Sequence, residues 1–215
     1  MCGTRYVHRL SKNNLSKTLI FYVIFLFCLG HLVFSHKGNV SVSRGNLVKT
    51  FKNYGPEFYV EFKIRISSAL KATWANILHV TNGPPNGAHG NRFPGIWVNK
   101  AKFFRFASTV NSNVNYEFDR NMKLGEVYHI VVSQQFNDQS QLVYKVVIDG
   151  KEVHSVVNTN GITLKEAKLY LSNPWYASIN DVGEISDLTV ISGEFLILQV
   201  LQSKLLFYVF YAIRN

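Results

Sequence analysis

Between Glu57 and Ser67 the sequence alternates, with Phe58, Val60, Phe62, Ile64 and Ile66 interleaved by Tyr59, Glu61, Lys63 and Arg65. Strict period two places all five apolar side chains on one face of an extended chain. That predicts a half-buried antiparallel strand and is incompatible with an amphipathic helix. Shorter runs of the same kind recur at 74–80, 95–98, 102–107, 127–134, 142–148, 153–157, 168–171 and 184–191, and no long segment carries a helical period. Between them lie turn-forming clusters: Asn82-Gly83-Pro84-Pro85-Asn86-Gly87, 111–115, 137–140, Asp149-Gly150 and Asn158-Thr159-Asn160-Gly161. Asp149-Gly150 is the sharpest, because a two-residue type I′ turn needs positive φ at both positions. Many short strands without intervening helices predict an all-β fold, a two-sheet antiparallel sandwich of the jelly-roll kind, with a barrel as the alternative.

The ends of the chain read differently. Residues 1–35 hold Arg5, Arg9, Lys12 and Lys17, no acidic residue, and both cysteines, Cys2 and Cys28. A basic stretch followed by the apolar run from Thr18 to Ser35 is the pattern of a secretory signal, here expected to be helical and cleaved after Ser35. An uncleaved signal anchor is the competing reading, since residues 18–35 just reach the length that spans a bilayer. Residues 36–54 then form a leader, and Asn39-Val40-Ser41 is an N-glycosylation sequon. Downstream of residue 35 there is no cysteine, so the predicted domain, 55–193, must hold together by core burial, which its length permits. The tail, 194–215, is largely apolar from Phe195 to Ile213, with the charged Lys204 near its middle beside Gln199, Gln202 and Ser203. It reads as a packed helix or as a marginal membrane anchor over 195–213, because one central lysine offsets most of the apolar gain. The overall charge of +10 also divides: 19 of the 23 basic residues and all 13 acidic ones lie beyond residue 35, leaving a body of about +6. With 47% hydrophobic residues, disorder is excluded.

Four segments carry a family resemblance: Gly125–Val132, Tyr144–Val153 with its Ile148-Asp149-Gly150 turn, Lys168–Pro174 and Gly183–Val190. Together they resemble the second half of laminin-G-like and concanavalin-A-like lectin or glucanase modules. The resemblance implies a jelly-roll fold over about residues 55–192 and, in the glucanases, an E-x-D-x-x-E catalytic strand. Here Glu117-Phe118-Asp119 matches the first two positions, but Met122 stands at the third.

The chemistry follows from what is present. A glycosidase of this fold needs two carboxylates flanking an open cleft, and Glu117 with Asp119 is the one pair that qualifies. No G-x-S-x-G elbow, phosphate loop or metal-ligand spacing accompanies it, so the chain reads as a binding module, not an enzyme. The glycosidase and a structural organic-matrix protein without a specific ligand are the alternatives. Two loops carry the candidate ligand residues. Asn82–Pro94 supplies Asn82, His89, Asn91 and Arg92 as hydrogen-bonding groups for sugar hydroxyls or sulfate. Asn173–Asp181 supplies Asn173, Trp175 and Tyr176 as a stacking platform, with Asn180 and Asp181 as oxygen ligands if calcium binds. Basic residues Arg92, Lys100, Lys102 and Arg105 cluster within a short stretch and would attract acidic partners. The expected partners are therefore glycans or acidic and sulfated extracellular matrix, with nucleic acid excluded for a secreted chain.

Overall fold

In the computed structural model, which describes residues 33–83 and 92–193, the alternating stretch is the strand Phe58–Ile66. Thirteen strands form among the described residues: β1 (Val33–Val40), β2 (Leu47–Tyr54), β3 (Phe58–Ile66), β4 (Trp74–Thr81), β5 (Gly95–Asn99), β6 (Phe103–Val110), β7 (Asn113–Asn121), β8 (Val127–Phe136), β9 (Leu142–Ile148), β10 (Lys151–Val157), β11 (Leu164–Leu171), β12 (Ala177–Ser178) and β13 (Gly183–Ser192). One sheet has the order β1-β13-β3-β8-β9-β10 and the other β2-β11-β4-β5-β6-β7, with the short β12 added in parallel to β4. All other pairings are antiparallel. The expected all-β two-sheet sandwich is therefore correct. The segment expected to form a signal helix lies outside the described residues up to residue 32, as does the apolar tail from residue 194.

The core lies between the sheets. Every apolar residue of the β3 alternation, Phe58, Val60, Phe62, Ile64 and Ile66, is at most 2% exposed, and its polar neighbours line the outer face. From the other sheet Phe51, Ile77, Val80, Ile96, Phe104, Phe106 and Leu169 close over them, all at 0% exposure. Each such side chain contributes about 1.5–3 kcal/mol by leaving water. An aromatic group of Phe51, Tyr54, Phe58 and Phe93, with centroids 4.9–6.0 Å apart, joins the sheets where the chain crosses from β2 to β3. Gly55 makes that crossing possible: its φ is +97°, and a Cβ there would sit 2.4 Å from Phe93 and 2.6 Å from the Ile162 carbonyl oxygen.

Two polar clasps complete the sandwich. Asn158 is buried and donates to the Thr109 carbonyl at 3.3 Å and to Gln134 Oε1 at 2.9 Å, so it ties β6, β8 and the end of β10 together. His154 of β10 reaches across to β7 and lies flat on Phe118, with centroids 4.5 Å apart, while its Nε2 meets the Tyr116 hydroxyl at 3.0 Å. The Asp149-Gly150 turn is as expected, with φ of 51° and 76° between β9 and β10.

The structure differs from the sequence reading at four strands, the shortest being the two-residue β12 inside the 173–181 loop. Residues 36–54, expected to be a leader, form most of β1 and all of β2, each at or near a sheet edge. β1 hides its period because Gly38 lies in a bulge between His36 and Asn39, and β2 because it buries only Phe51 and Tyr54, three apart, beside exposed polar residues that suit an edge. Residues 111–115, expected to form a turn, hold both a turn and the start of β7. The two-residue turn is Asn111-Ser112, with φ of 51° and 64°, and the strand begins at once with Asn113.

Candidate functional site

The outer face of the second sheet carries an unusual concentration of aromatic and charged side chains, and strand register explains it. The pairs Asn76–Trp97, Trp97–Arg105 and Arg105–Asp119 run directly across β4, β5, β6 and β7, and the next row is His79, Gly95, Ala107 and Glu117. Residues opposite one another in neighbouring strands point to the same face, so these two rows share one surface. Trp97 lies down over Gly95, where a Cβ would meet its ring at 2.2 Å. The missing side chain at 95 is the bed for the indole.

Arginines cover and brace this surface. Arg92, entering as the chain rejoins the sheet, sits 5.0 Å above the Trp97 ring and donates to Glu117 Oε1 at 3.2 Å. Its carbonyl is held by the Thr109 N–H at 2.8 Å. Arg105 stacks 4.6 Å over Trp74 and forms a two-pronged pair with Asp119, both bonds at 2.8 Å, while its third nitrogen reaches Glu117 at 2.7 Å. Asn115 adds a bond of 2.7 Å to Glu117. Burial pushes the Arg92 guanidinium below the ordinary arginine value, against the pull of Tyr176 and Glu117. The Asp119 hydrogen bonds hold Arg105 above it.

The loop after β11 closes one side of the site and is positioned by two fully buried asparagines. Asn76 donates to the carbonyls of Leu78 and Ile96 and accepts the Asn173 N–H at 2.8 Å. Asn173 Oδ1 accepts the N–H groups of Trp175 and Tyr176, both at 3.1 Å, and its Nδ2 lies 3.0 Å from His79 Nδ1. With the amide oxygen so occupied, Nδ2 donates and His79 Nδ1 is the acceptor, which places the neutral ring's proton on Nε2. His79 in turn lies between Trp97 and Trp175, with centroids at 5.3 and 5.7 Å. Arg44 Nε donates to the Pro174 carbonyl at 2.9 Å, and the Ser178 hydroxyl to that of Val42, so the segment between β1 and β2 buttresses the loop from behind. Tyr176 then meets Trp97 edge-on at 5.9 Å.

Trp74, Arg92, Trp97, Arg105, Glu117 and Tyr176 together line a shallow hollow of about 80 Å³. The indole N–H of Trp97 is buried in its wall and has no hydrogen-bond partner among the described residues. Ligand cavities that engulf a small molecule have about 300–1,000 Å³. A hollow this small and open accepts one projecting group or the end of a chain.

Of the residues chosen from sequence, Arg92, Asn173, Trp175 and Tyr176 belong to this site, Asn173 as its buried support. Asn82 is exposed at the end of β4, while His89 and Asn91 lie outside the described residues. Asn180 and Asp181 are exposed on the turn before β13, and no group of three or more His, Cys, Asp or Glu side chains gathers among the described residues. Asn39 is exposed on β1. The supposed basic cluster changes meaning, because Arg92 and Arg105 are neutralised by Glu117 and Asp119 and only Lys100 and Lys102 project freely from the β5–β6 turn. Glu117 and Asp119 share a face as a glycosidase pair would, yet all four carboxylate oxygens accept hydrogen bonds from Arg92, Arg105 or Asn115. Trp74, Gly95 and Trp97 carry no signal in the sequence alone, and His79 reads there only as a poor metal ligand ten residues from His89. Their signal is the period-two register across β4 to β7, legible only once β7 is known to be a strand.

Fold and site together define an all-β sandwich bearing an aromatic–arginine surface on one sheet. No family model matches the chain, and no curated protein matches it. Solved structures similar to it include the CBM40 of Ruminococcus gnavus IT-sialidase bound to α2,3 sialyllactose, at 12% identity and a TM-score of 0.48, covering 79% of this chain and 97% of that one. The receptor-binding domain of botulinum neurotoxin type G is similar at 10% identity and a TM-score of 0.45, over 75% of this chain and 43% of that one. Trypanosoma rangeli sialidase follows at 16% identity and a TM-score of 0.44, over 63% of this chain. The chain spans about a fifth of the sialidase and less than half of the toxin domain, which match it at 20% and 43% of their lengths.

Proposed function

We propose that this protein is a concanavalin-A-like recognition module that binds glycans through the outer face of β4 to β7, without catalysis. The observation that carries the reading is the hollow between Trp74, Trp97 and Tyr176, edged by Arg92 and Glu117 and walled by the partnerless Trp97 N–H. A sugar offers an apolar C–H face and a ring of hydroxyls. The half-buried Trp74 and Tyr176 rings suit the first, and the arginine and Glu117 groups at the edge suit the second. The two arginines and two carboxylates cancel in charge, which favours a neutral sugar end at this site. The same saturation of Glu117 and Asp119 speaks against hydrolysis, which needs a carboxyl group free to give up a proton.

The chain's setting belongs to the same proposal: secreted or membrane-tethered, glycosylated at Asn39, and processed near residue 35. β1 begins at Val33, and Ser35 bonds the Thr189 hydroxyl at 3.1 Å, so a cut after Ser35 would leave only His36–Val40 of that strand. Mass spectrometry of the native N-terminus and of the Asn39 peptide reads both features. The binding reading is tested by a glycan array probed with the full chain and with Trp74→Ala. Selective binding that Trp74→Ala abolishes at unchanged melting temperature is expected. Absence of any bound glycan, or equal binding by the variant, would refute it.

A further inference from the structure

Several cations on the two sheet faces are matched by carboxylates: Lys63 with Asp187 at 2.9 Å, Arg65 with Glu184 at 2.8 Å and Lys145 with Glu152 at 3.2 Å, besides the Arg92 and Arg105 pairs. Arg120 and Lys151 are among the cations that are not, and they share one groove. Neither forms an ion pair or a side-chain hydrogen bond among the described residues. They meet at one end of the sandwich, where the end of β7, the start of β8 and the β9–β10 hairpin enclose a groove of 460 Å³. Arg120, Lys123 and Lys151 stand in its walls, and Met122, Ile148 and Val153 give it an apolar lining.

The remaining polar groups of the groove are already committed. Asp149, its lining carboxylate, turns Oδ1 to the His129 N–H at 2.8 Å. The Tyr128 hydroxyl accepts the Lys123 N–H at 2.8 Å and donates to Glu126 at 2.9 Å, which makes it a fixed wall. Lys123 is paired with Glu126 only loosely, at 3.2 Å and with its side chain 79% exposed, so that contact holds little of its charge. The groove thus concentrates positive charge that the protein leaves unbalanced, in a concavity of the size that holds a ligand.

We infer that this end groove is a second binding site, independent of the aromatic face, and that it takes a sulfated segment of a polysaccharide. The planar Arg120 fork presents parallel N–H groups to two oxygens of a sulfate, and the Lys151 ammonium supplies a second point charge. The apolar lining then carries the sugar ring between sulfates. Met122 and Ile148 are recessed, at 5% and 8% exposure, which suits a ring laid into a groove and not a bilayer surface that protruding apolar side chains would enter. A neutral glycan end on the β4–β7 face and a sulfated stretch at the sandwich end would let one module grip two features of a matrix polymer.

The test is titration calorimetry of the full chain with a heparin oligosaccharide, with the same oligosaccharide desulfated, and with phosphatidylcholine vesicles containing phosphatidylserine. Heparin should bind in a salt-dependent manner and the other two probes should not. Arg120→Ala with Lys151→Ala should weaken heparin binding about tenfold for each side chain removed. Lys165→Ala with Lys168→Ala, which removes two exposed lysines of β11, should change it less than about twofold. Both changed pairs are exposed, and an unchanged melting temperature verifies folding. Equal loss in both variants would show diffuse charge attraction and overturn the site. So would unaltered binding by the Arg120 and Lys151 variant, comparable binding of the desulfated chain, or binding of vesicles in place of heparin.

Discussion

Replacing Asn173 with alanine removes one fully buried side chain that makes three hydrogen bonds: to His79 Nδ1 at 3.0 Å and from the N–H groups of Trp175 and Tyr176 at 3.1 Å. Each is worth about 0.5–1.5 kcal/mol net, and the groups left behind lie where water reaches them poorly, so the expected loss is about 2–4 kcal/mol. For a domain of this size that lowers the melting temperature by about 5–12 °C. Urea unfolding followed by far-ultraviolet circular dichroism should show a lower midpoint at unchanged slope, because the surface exposed on unfolding stays the same. Asn173→Asp separates the two halves of the network. It keeps the oxygen that holds Trp175 and Tyr176 but puts an acceptor against the acceptor nitrogen of His79. The neutral His79 ring can still meet that acceptor by carrying its proton on Nδ1, so the aspartate variant, which keeps the hold on Trp175 and Tyr176, should retain more glycan binding than Asn173→Ala. The loop reading also predicts that the alanine variant loses glycan binding even well below its melting temperature. A stability within about 0.5 kcal/mol of wild type, or intact glycan binding, would refute the idea that this buried amide positions the site.

Two further outcomes follow from the geometry. Gly95→Ala puts a methyl group 2.2 Å from the Trp97 ring and should displace the indole from its bed, which intrinsic tryptophan fluorescence would register as a shifted emission maximum together with lost glycan binding. Unshifted emission would mean that the ring is not held there. Burial against Phe118 and Tyr116 pushes the His154 imidazole below its ordinary 6.5, with Glu152 partly opposing, so the fold prefers the neutral ring. The contribution is complete above about pH 6.5 and is lost as the pH falls from there through the depressed folded-state value, because the unfolded chain takes up the proton first. Urea midpoints measured between about pH 5 and 8 should therefore slope for wild type and flatten in His154→Phe. Identical slopes would exclude His154 as the source.

The Arg92 and Arg105 pairs illustrate how a pattern of charge in sequence changes meaning in three dimensions. Along the chain they belong to a basic run with Lys100 and Lys102. Across the sheet, Arg105 of β6 faces Asp119 of β7, which is fourteen residues distant, and the cluster becomes neutral. Arg120 and Lys151, thirty-one residues apart, meet instead in the end groove, a pairing that nothing in the sequence singles out.

What the sequence determined by itself is the kind of layer this chain builds. The period-two stretch at 57–67 and the Asp149-Gly150 turn are local consequences of steric alternation and positive φ, so they are legible wherever the buried face is unbroken. β1, β2 and β7 escaped because edge strands bury little and bulges interrupt their period, and strand existence there rests on the partner. The aromatic and asparagine candidates at Asn173, Trp175 and Tyr176 are visible as residue types, but their partners Trp74, Gly95, Trp97 and Glu117 come from three other strands. Only the tertiary structure decided that assembly, because register between strands remote in sequence is set by the fit of the whole core and not by any one of them.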